Sequence, residues 1–149
     1  MLTDVGCLLD TAFAPGGSAT SYSTYAYDSH AASIGGATRD ISGHDCPLWL
    51  NICVTTSFAT STSTEFVIIS SASTTLSSSP TVHTSTGAIV TATLVAGYSV
   101  SIPLTPGAYK RYVGIKYLTV GTTDATGKVT ATITDGVPLY TAYANNWTN

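Results

Sequence analysis

The chain has 149 residues and a mass of 15.3 kDa, a size that fits one domain with a single hydrophobic core. Charged residues make up only 9% of it and the net charge is −3 at pH 7, so the sequence lacks the positive stripe that nucleic-acid binding requires. Its polar residues are mostly Ser and Thr, small uncharged side chains that are easily desolvated by a covering protein, and this composition favours permanent assembly over free diffusion.

The first half of the chain changes from an unpatterned start to β-type alternation. Residues 1–20 show no clear strand pattern and are predicted to form an N-terminal arm, and a Ser/Tyr-rich strand is predicted over Tyr22–Asp28. The clearest strand is Pro47–Thr56, whose alternation predicts one buried aliphatic face and one outward face. The aliphatic positions are Leu48, Leu50, Ile52 and Val54, and they alternate with Trp49, Asn51, Cys53 and Thr55.

The second half continues the β pattern. The nearly continuous apolar run inside Glu65–Ser70 predicts a strand buried on both faces. Residues 71–86 are too rich in Ser and Thr to form a core and are predicted to be a long exposed loop. Residues 135–149 lack a strand pattern and are predicted to form a C-terminal arm. Further strands are predicted at Ile89–Leu94, Tyr98–Leu104, Arg111–Val120 and Lys128–Thr134.

These elements predict an all-β protein. Six or more short strands, with no sustained helical period, indicate a single-domain antiparallel β-sandwich or jelly roll. The predicted domain covers residues 21–134 and lies between the two extended arms, 1–20 and 135–149. The aromatic residues Tyr140, Tyr143 and Trp147 are unfavourable in water, so we expect the arms to lie on their own domain or on a neighbour.

The cysteines and the N-terminus are typical of a protein assembled in the cytosol. Cys7, Cys46 and Cys53 are an odd number without metal-ligand spacing, which predicts reduced, buried thiols. Asp4 and Asp10 occupy the region where a signal peptide needs a basic start and an apolar run. No apolar segment approaches the ~18 residues of a membrane-spanning helix.

Two local motifs resemble sites for catalysis or ligand binding. His44, Asp45 and Cys46 are consecutive, so they alternate faces in a strand instead of converging as a nucleophile site. A metal held by His44, Asp45 and Asp40 is the other reading, and a polar turn before a strand explains the same residues. Gly121–Val129 resembles a phosphate-binding loop, but its glycine spacing is wrong and no helix follows, so a hairpin loop is predicted. We therefore expect no enzyme activity, no metal and no cofactor.

An aromatic-basic patch is the strongest candidate binding feature. Lys110 and Arg111 lie between Tyr109 and Tyr112, with Lys116 close behind in the sequence. A solvated strand start accounts for such a patch, and contact with an acidic partner is the alternative. The predicted contact residues are the four residues of this patch, Tyr109, Lys110, Arg111 and Tyr112, together with Tyr143 and Trp147 of the C-terminal arm.

Several short segments resemble a family of small capsid cement, or decoration, proteins of tailed bacteriophages. They are Leu-Val-Ala-Gly-Tyr at 94–98, Ile-Pro-Leu-Thr-Pro-Gly at 102–107, Lys-Arg-Tyr-Val at 110–113 and Ile-Lys-Tyr at 115–117. Pro-Leu-Trp-Leu at 47–50 and Gly-Lys-Val-Thr-Ala at 127–131 add to the similarity, which is best over residues 47–134. The long Ser/Thr loop and the Tyr-rich tail depart from the family pattern.

The resemblance implies a β-sandwich or jelly-roll subunit, commonly a homotrimer, on the outer face of the virion, where it binds the major capsid protein and bridges neighbouring capsid subunits. It implies no catalytic residue and no required cofactor. The low positive charge and the lack of a spanning segment predict no nucleic-acid or membrane partner. A carbohydrate-binding or adhesive β-sandwich module of a phage tail or fibre is the alternative, because exposed Trp49, Trp147 and tyrosines can stack on sugar rings.

Overall fold

The computed structural model describes residues 7–29 and 48–135. These residues form nine strands and one short 3-10 turn at Thr91–Thr93, which confirms the all-β prediction. The strands are β1 (Leu8–Phe13), β2 (Thr20–Tyr22), β3 (Tyr27–Asp28), β4 (Trp49–Thr56), β5 (Ser61–Ser71), β6 (Thr81–Val90), β7 (Ser99–Pro103), β8 (Tyr112–Gly121) and β9 (Lys128–Thr134). Among the described residues, none belongs to a helix long and apolar enough to cross a membrane.

The strands form two antiparallel sheets that pack face to face. The four-stranded sheet has the order β1-β9-β4-β7, and the five-stranded sheet has the order β2-β8-β5-β6, with β3 also pairing β8. If β2 and β3 count as one interrupted strand, the eight strands in chain order are arranged 1-8-3-6 and 2-7-4-5. This is the strand order of a jelly roll, a sandwich built from two Greek keys.

Ser23 is where the strand predicted over Tyr22–Asp28 is interrupted. The Ser23 backbone N–H donates to the carbonyl of Ile115 at 2.9 Å, and its Oγ accepts from the Ile115 N–H at 3.1 Å. The side chain thus takes the place of a backbone acceptor, and the chain bulges away at Thr24, whose N–H donates to Asp10 at 2.8 Å. The edge of β8 is consequently covered by two short strands instead of one.

The hydrophobic core lies between the two sheets, as the alternation in β4, β8 and β9 predicted. Leu50, Ile52 and Val54 of β4 are each 1% exposed. Phe66 and Tyr117 meet edge to face across β5 and β8, with ring centroids 5.8 Å apart. The remaining buried members of this core are Leu9, Phe58, Ile68, Leu94, Ile102, Leu104, Tyr109, Val113, Ile115, Val129, Ala131 and Ile133.

A second, smaller cluster lies on the outer face of the five-stranded sheet. Val67 and Ile69 of β5 point away from the main core and are covered by Leu76, so β5 is buried on both faces as predicted. The prediction of an exposed loop over 71–86 is wrong in two respects. Residues from Thr81 onward form strand β6, and Leu76 is buried; threonines pair well in a strand, and a single leucine suffices to anchor a polar connection.

The segment interpreted as an N-terminal arm contains strand β1. It pairs with β9, where Leu8 lies opposite Thr132 and Phe13 opposite Val129, with two register shifts between them. These irregularities explain why residues 1–20 show no period-two pattern in the sequence. Residues 136–149, which make up nearly all of the predicted C-terminal arm, lie outside the described residues.

Two further expectations are corrected by the topology. The connection from β8 to β9 is not a hairpin loop, because β8 belongs to the five-stranded sheet and β9 to the four-stranded sheet. Cys53 is exposed instead of buried, because Ile52 and Val54 occupy the inward positions on either side of it. Cys46 lies outside the described residues.

Candidate interaction surfaces

Tyr109 belongs to the core and not to a surface patch. Its side chain is fully buried, and its ring stacks on the imidazole of His83 with centroids 3.8 Å apart. Its hydroxyl lies 3.5 Å from Thr105 Oγ1. Tyr109 therefore presents no side-chain surface to a partner, although its position in the sequence groups it with Lys110 and Arg111.

Lys110 fastens the connection between β5 and β6. Its Nζ donates to the carbonyl of Ser79 at 2.8 Å, and its backbone N–H donates to Ser70 Oγ at 3.0 Å. Ser70 Oγ also lies 2.7 Å from Nε2 of His83. Burial lowers the pKa of His83, and the charge of Lys110 lowers it further. Lys110 thus has a structural role at this end of the sandwich.

Arg111 and Tyr112 are the part of the predicted patch that reaches the surface. The Arg111 guanidinium is held by both carboxylate oxygens of Asp28, with Nε–Oδ1 at 3.0 Å and Nη2–Oδ2 at 2.9 Å. The hydrogen bond to Asp28 raises the pKa of Arg111. The guanidinium also lies 5.0 Å from the ring centre of half-buried Tyr112. The Arg111 side chain remains 49% exposed, so a positioned cation is available to a partner.

Several other candidate residues of the sequence analysis lie outside the described residues. These are Tyr143 and Trp147 of the predicted contact set and the His44, Asp45 and Asp40 group. Trp49, which the carbohydrate-binding alternative takes as exposed, is described and is half-buried in β4. The structure therefore brings Arg111 and Tyr112 together, separates Tyr109 from them, and leaves the contribution of the C-terminal residues a prediction. Within 7–29 and 48–135, no group of three or more His, Cys, Asp or Glu residues could hold a metal ion.

Exposed valines on the outer face of the five-stranded sheet were not identified from the sequence. Val90 of β6 and Val120 of β8 flank Ser63 of β5 in one row and are 56% and 58% exposed. The signal was available in part, since Val120 alternates with inward-facing residues of β8. The prediction of a strand over Ile89–Leu94 included Val90 but is wrong beyond it, because Val90 ends strand β6, which begins at Thr81 in a Ser/Thr-rich stretch, and a 3-10 turn follows at Thr91–Thr93.

The outer face of the four-stranded sheet carries mostly hydroxyl groups. Along β9, threonines alternate with the buried Val129, Ala131 and Ile133; they are Thr130, Thr132 and Thr134. Strand β4 lies between β9 and β7 and contributes Trp49, Asn51, Cys53 and Thr55, and β7 contributes Ser99 and Ser101. On these three strands Lys128, the first residue of β9, is the one charged residue. The face is therefore polar but nearly uncharged.

Two buried carboxylates hold the sandwich together instead of facing a binding site. Asp10 of β1 accepts a hydrogen bond from the Tyr117 hydroxyl at 2.5 Å, which links the two sheets. Burial raises the pKa of Asp10, and the hydrogen bonds from Tyr117 and Thr24 offset part of the rise. Burial would also raise the pKa of Asp124, but hydrogen bonds from its neighbouring loops outweigh it and hold the pKa well below its usual range.

A small cleft opens beside Tyr25. It has a volume of about 280 Å³ and is lined by Leu8, Thr11, Thr24 and Tyr25. Tyr25 is 61% exposed, and Thr11 and Thr24 line the cleft beside it. An exposed aromatic side chain in a cleft can pack against a small ligand.

Comparison with known proteins gives one family. No curated protein matches the chain. The family model described as Bbp16 matches residues 17–133, which extend from the connection before β2 almost to the end of β9. The name of this family points to a bacteriophage protein. Because the match covers most of the chain and all of the sandwich except β1, the protein belongs to the Bbp16 family.

Proposed function

We propose that this protein is a structural virion protein that binds the outer surface of a tailed-phage capsid and stabilises the shell by bridging neighbouring major-capsid subunits. The observation that carries the proposal is a phage-type family assignment on a jelly roll whose four-stranded sheet has an outer face nearly free of charge. Jelly rolls recur in viral shell proteins, but the fold hosts other functions too, so the fold adds support only as an analogy.

The chemistry of the outer faces suits a protein that is covered by other proteins. Taking a hydroxyl out of water requires far less free energy than taking out a charge, and the face formed by β9, β4 and β7 carries mostly Ser and Thr. Such a face can make many weak contacts, each with a small desolvation free energy. A clamp that engages several subunits at once gains from these contacts, because tethering raises the effective concentration of each one.

Stabilisation of the shell follows from linkage. A ligand that binds the intact lattice and not its dissociated subunits shifts the equilibrium toward the lattice. Bridging therefore raises the temperature or internal pressure at which the shell disrupts. In this proposal the protein acts as a homotrimer on the virion exterior, as the sequence resemblance implies, and has no catalytic role.

The proposal is tested by removing the protein from particles and adding it back. We expect wild-type protein to rebind stripped shells and to raise their disruption temperature, which differential scanning fluorimetry or calorimetry measures. If wild type neither rebinds nor changes the disruption temperature, the proposed function is wrong. A deletion after residue 139, which removes Tyr143 and Trp147, tests the predicted contribution of the C-terminal arm in the same assay.

Arg111 can be tested with a matched control. Arg111→Ala and Asp28→Ala both break the same ion pair, but only Arg111→Ala removes the exposed cation. We expect Arg111→Ala to weaken rebinding and Asp28→Ala to leave it unchanged or stronger, since it frees the guanidinium. Equal losses in both variants would show that the ion pair acts only on local structure and that Arg111 does not contact the shell.

A carbohydrate-binding role is the second candidate, and the cleft beside Tyr25 favours it. Sugar rings stack on exposed aromatic side chains, and Tyr25 presents one in a cleft that Thr11 and Thr24 also line. A glycan array separates the two functions. Specific glycan binding that is abolished by Tyr25→Ala, with no rebinding to stripped shells, would favour the adhesive module.

A further inference from the structure

The outer face of the five-stranded sheet is covered over one half and open over the other. At the covered end, Leu76 packs on Val67 and Ile69, which are 4% and 0% exposed, while Val82 of edge strand β6, beside Ile69, stays 59% exposed. At the open end, Val90 and Val120 are more than half exposed on the same face of the sheet. The chain thus provides its own cover for part of an apolar sheet face and leaves the rest without one.

The open half forms a contiguous surface over three strands, which we name the uncovered patch. Its first row is Val90–Ser63–Val120, its second row is Ala88–Glu65–Leu118, and Lys116 stands beside Val67 in the third. Outward alternation along regular β5 and β8 places all of these side chains on one face.

The uncovered patch carries one negative and one positive side chain, and neither is paired within the described residues. Glu65 and Lys116 are both half-buried, and within the described residues neither forms an ion pair. One acid and one base next to exposed valines make a surface that is complementary to itself. In a closed cyclic assembly each copy can offer its carboxylate to one neighbour and its ammonium group to another. A large charged partner would leave one of the two groups facing a like charge.

We infer that the uncovered patch packs against the same patch of further copies of this chain, with Glu65 of one copy opposite Lys116 of the next. The contact buries the exposed valines, as Leu76 buries their counterparts at the other end of the face. This inference rests on the self-association included in the proposed function and assigns it to a defined surface. Interfaces of this kind combine apolar contacts with polar residues at their rim.

Charge reversal tests the contact between copies. Glu65→Lys leaves only positive charges in the patch, and Lys116→Glu leaves only negative ones. We expect each variant alone to dissociate at concentrations where wild type stays assembled, with a rise in the dissociation constant of at least about tenfold. An equimolar mixture of the two, one of them labelled with ¹⁵N, should recover mixed oligomers in native mass spectrometry, because complementary pairs form only between unlike copies.

The composition of the mixed oligomers also distinguishes a two-fold assembly from a trimer. A two-fold assembly regains both ion pairs in a mixed dimer, whereas a mixed trimer keeps one repulsive contact and recovers only in part. Either recovery supports the patch as the interface. Single variants that assemble like wild type, or a mixture without mixed oligomers, would overturn the inference.

The apolar part of the patch has its own control. Val120→Lys should also dissociate the assembly, whereas Val95→Lys, at a 50% exposed valine in the connection between β6 and β7, should not. Circular dichroism melting verifies that each variant is folded. Equal dissociation by both variants, or by neither, would contradict the patch. A wild-type monomer that still rebinds stripped shells would overturn this inference alone, and an assembled protein that ignores shells would overturn the proposed function alone.

Discussion

Replacing Asp124 by Asn should destabilise the fold, because this carboxylate joins two loops at one end of the sandwich. Oδ2 accepts from the backbone N–H groups of Ala59, at 2.5 Å, and Thr60, at 2.8 Å. Oδ1 accepts from the N–H of Thr126 at 3.0 Å, from its hydroxyl at 2.5 Å and from the N–H of Gly127 at 3.2 Å. The carboxylate therefore satisfies four backbone donors from the β4–β5 and β8–β9 connections.

The expected loss follows from the chemistry of the amide. Asn has a single acceptor oxygen, so if it serves the Thr126 side, the NH₂ group faces the N–H groups of Ala59 and Thr60. Leaving a buried donor without an acceptor reduces stability by about 1–3 kcal/mol. We take the low end, about 1 kcal/mol for each donor, because Ala59 and Thr60 are exposed residues. Asp124→Asn should thus lower the free energy of unfolding by about 2 kcal/mol at pH 7.

The loss should depend on pH in a defined direction. The pKa of Asp124 in the folded protein is held well below its usual range, whereas in the unfolded chain it is about 3.9. The stabilisation is therefore complete above pH 4 and is lost as the pH falls toward the folded pKa, because the unfolded carboxyl takes up its proton first. The stability difference between wild type and Asp124→Asn should narrow between about pH 4 and pH 2.

Urea unfolding at pH 7 and pH 3 measures both effects from the midpoint and the slope. Asp135→Asn is the matched control, since Asp135 is exposed, and it should change stability by less than about 0.5 kcal/mol. A loss for Asp124→Asn that is no larger than the control, or that grows on acidification, would refute the reasoning.

The remaining predictions concern the two sides of the five-stranded sheet. Thr64 and Thr119 lie opposite each other with buried hydroxyls that find no partner among the described residues, so Val at either site should raise the free energy of unfolding by about 1 kcal/mol. Thermal unfolding checks this, and a destabilised variant would contradict it. A methyl group at Gly114 would lie 2.3 Å from Leu76 Cδ1, so Gly114→Ala should lower stability by about 1–3 kcal/mol. Combining it with Leu76→Ala should reduce stability by less than the sum of the single losses, and strict additivity would argue against the clash.

Much of the fold could be predicted from side-chain alternation. Strands β4 and β9 have nearly the bounds predicted for them, Pro47–Thr56 and Lys128–Thr134. The apolar run of β5 is buried on both faces, as its sequence predicted. These predictions succeeded because each depends on a local period that a central strand must obey to bury one face or both.

The strands that the sequence analysis missed or misplaced lie at sheet edges or carry irregularities. β1 contains register shifts, β2 and β3 are separated at Ser23, and β6 is composed largely of Ser and Thr. An edge strand can be held in the sheet by backbone hydrogen bonds to its partner strand, even when it has no apolar face of its own. Its identity is therefore decided by pairing with residues far away in the sequence, as for β1 with β9, and no local pattern reports it.

The candidate surfaces divide in the same way. By itself, the sequence determined the class of the protein, because low charge, abundant hydroxyls and period-two runs set an all-β core with nearly neutral faces. Only the tertiary structure decided which side chains face out: it buries Tyr109 against His83, ties Lys110 to Ser79, and exposes Val90 and Val120 beside Ser63. Neighbours in sequence share a surface only when the sheets that pack around them leave it open, and that packing depends on contacts between distant strands.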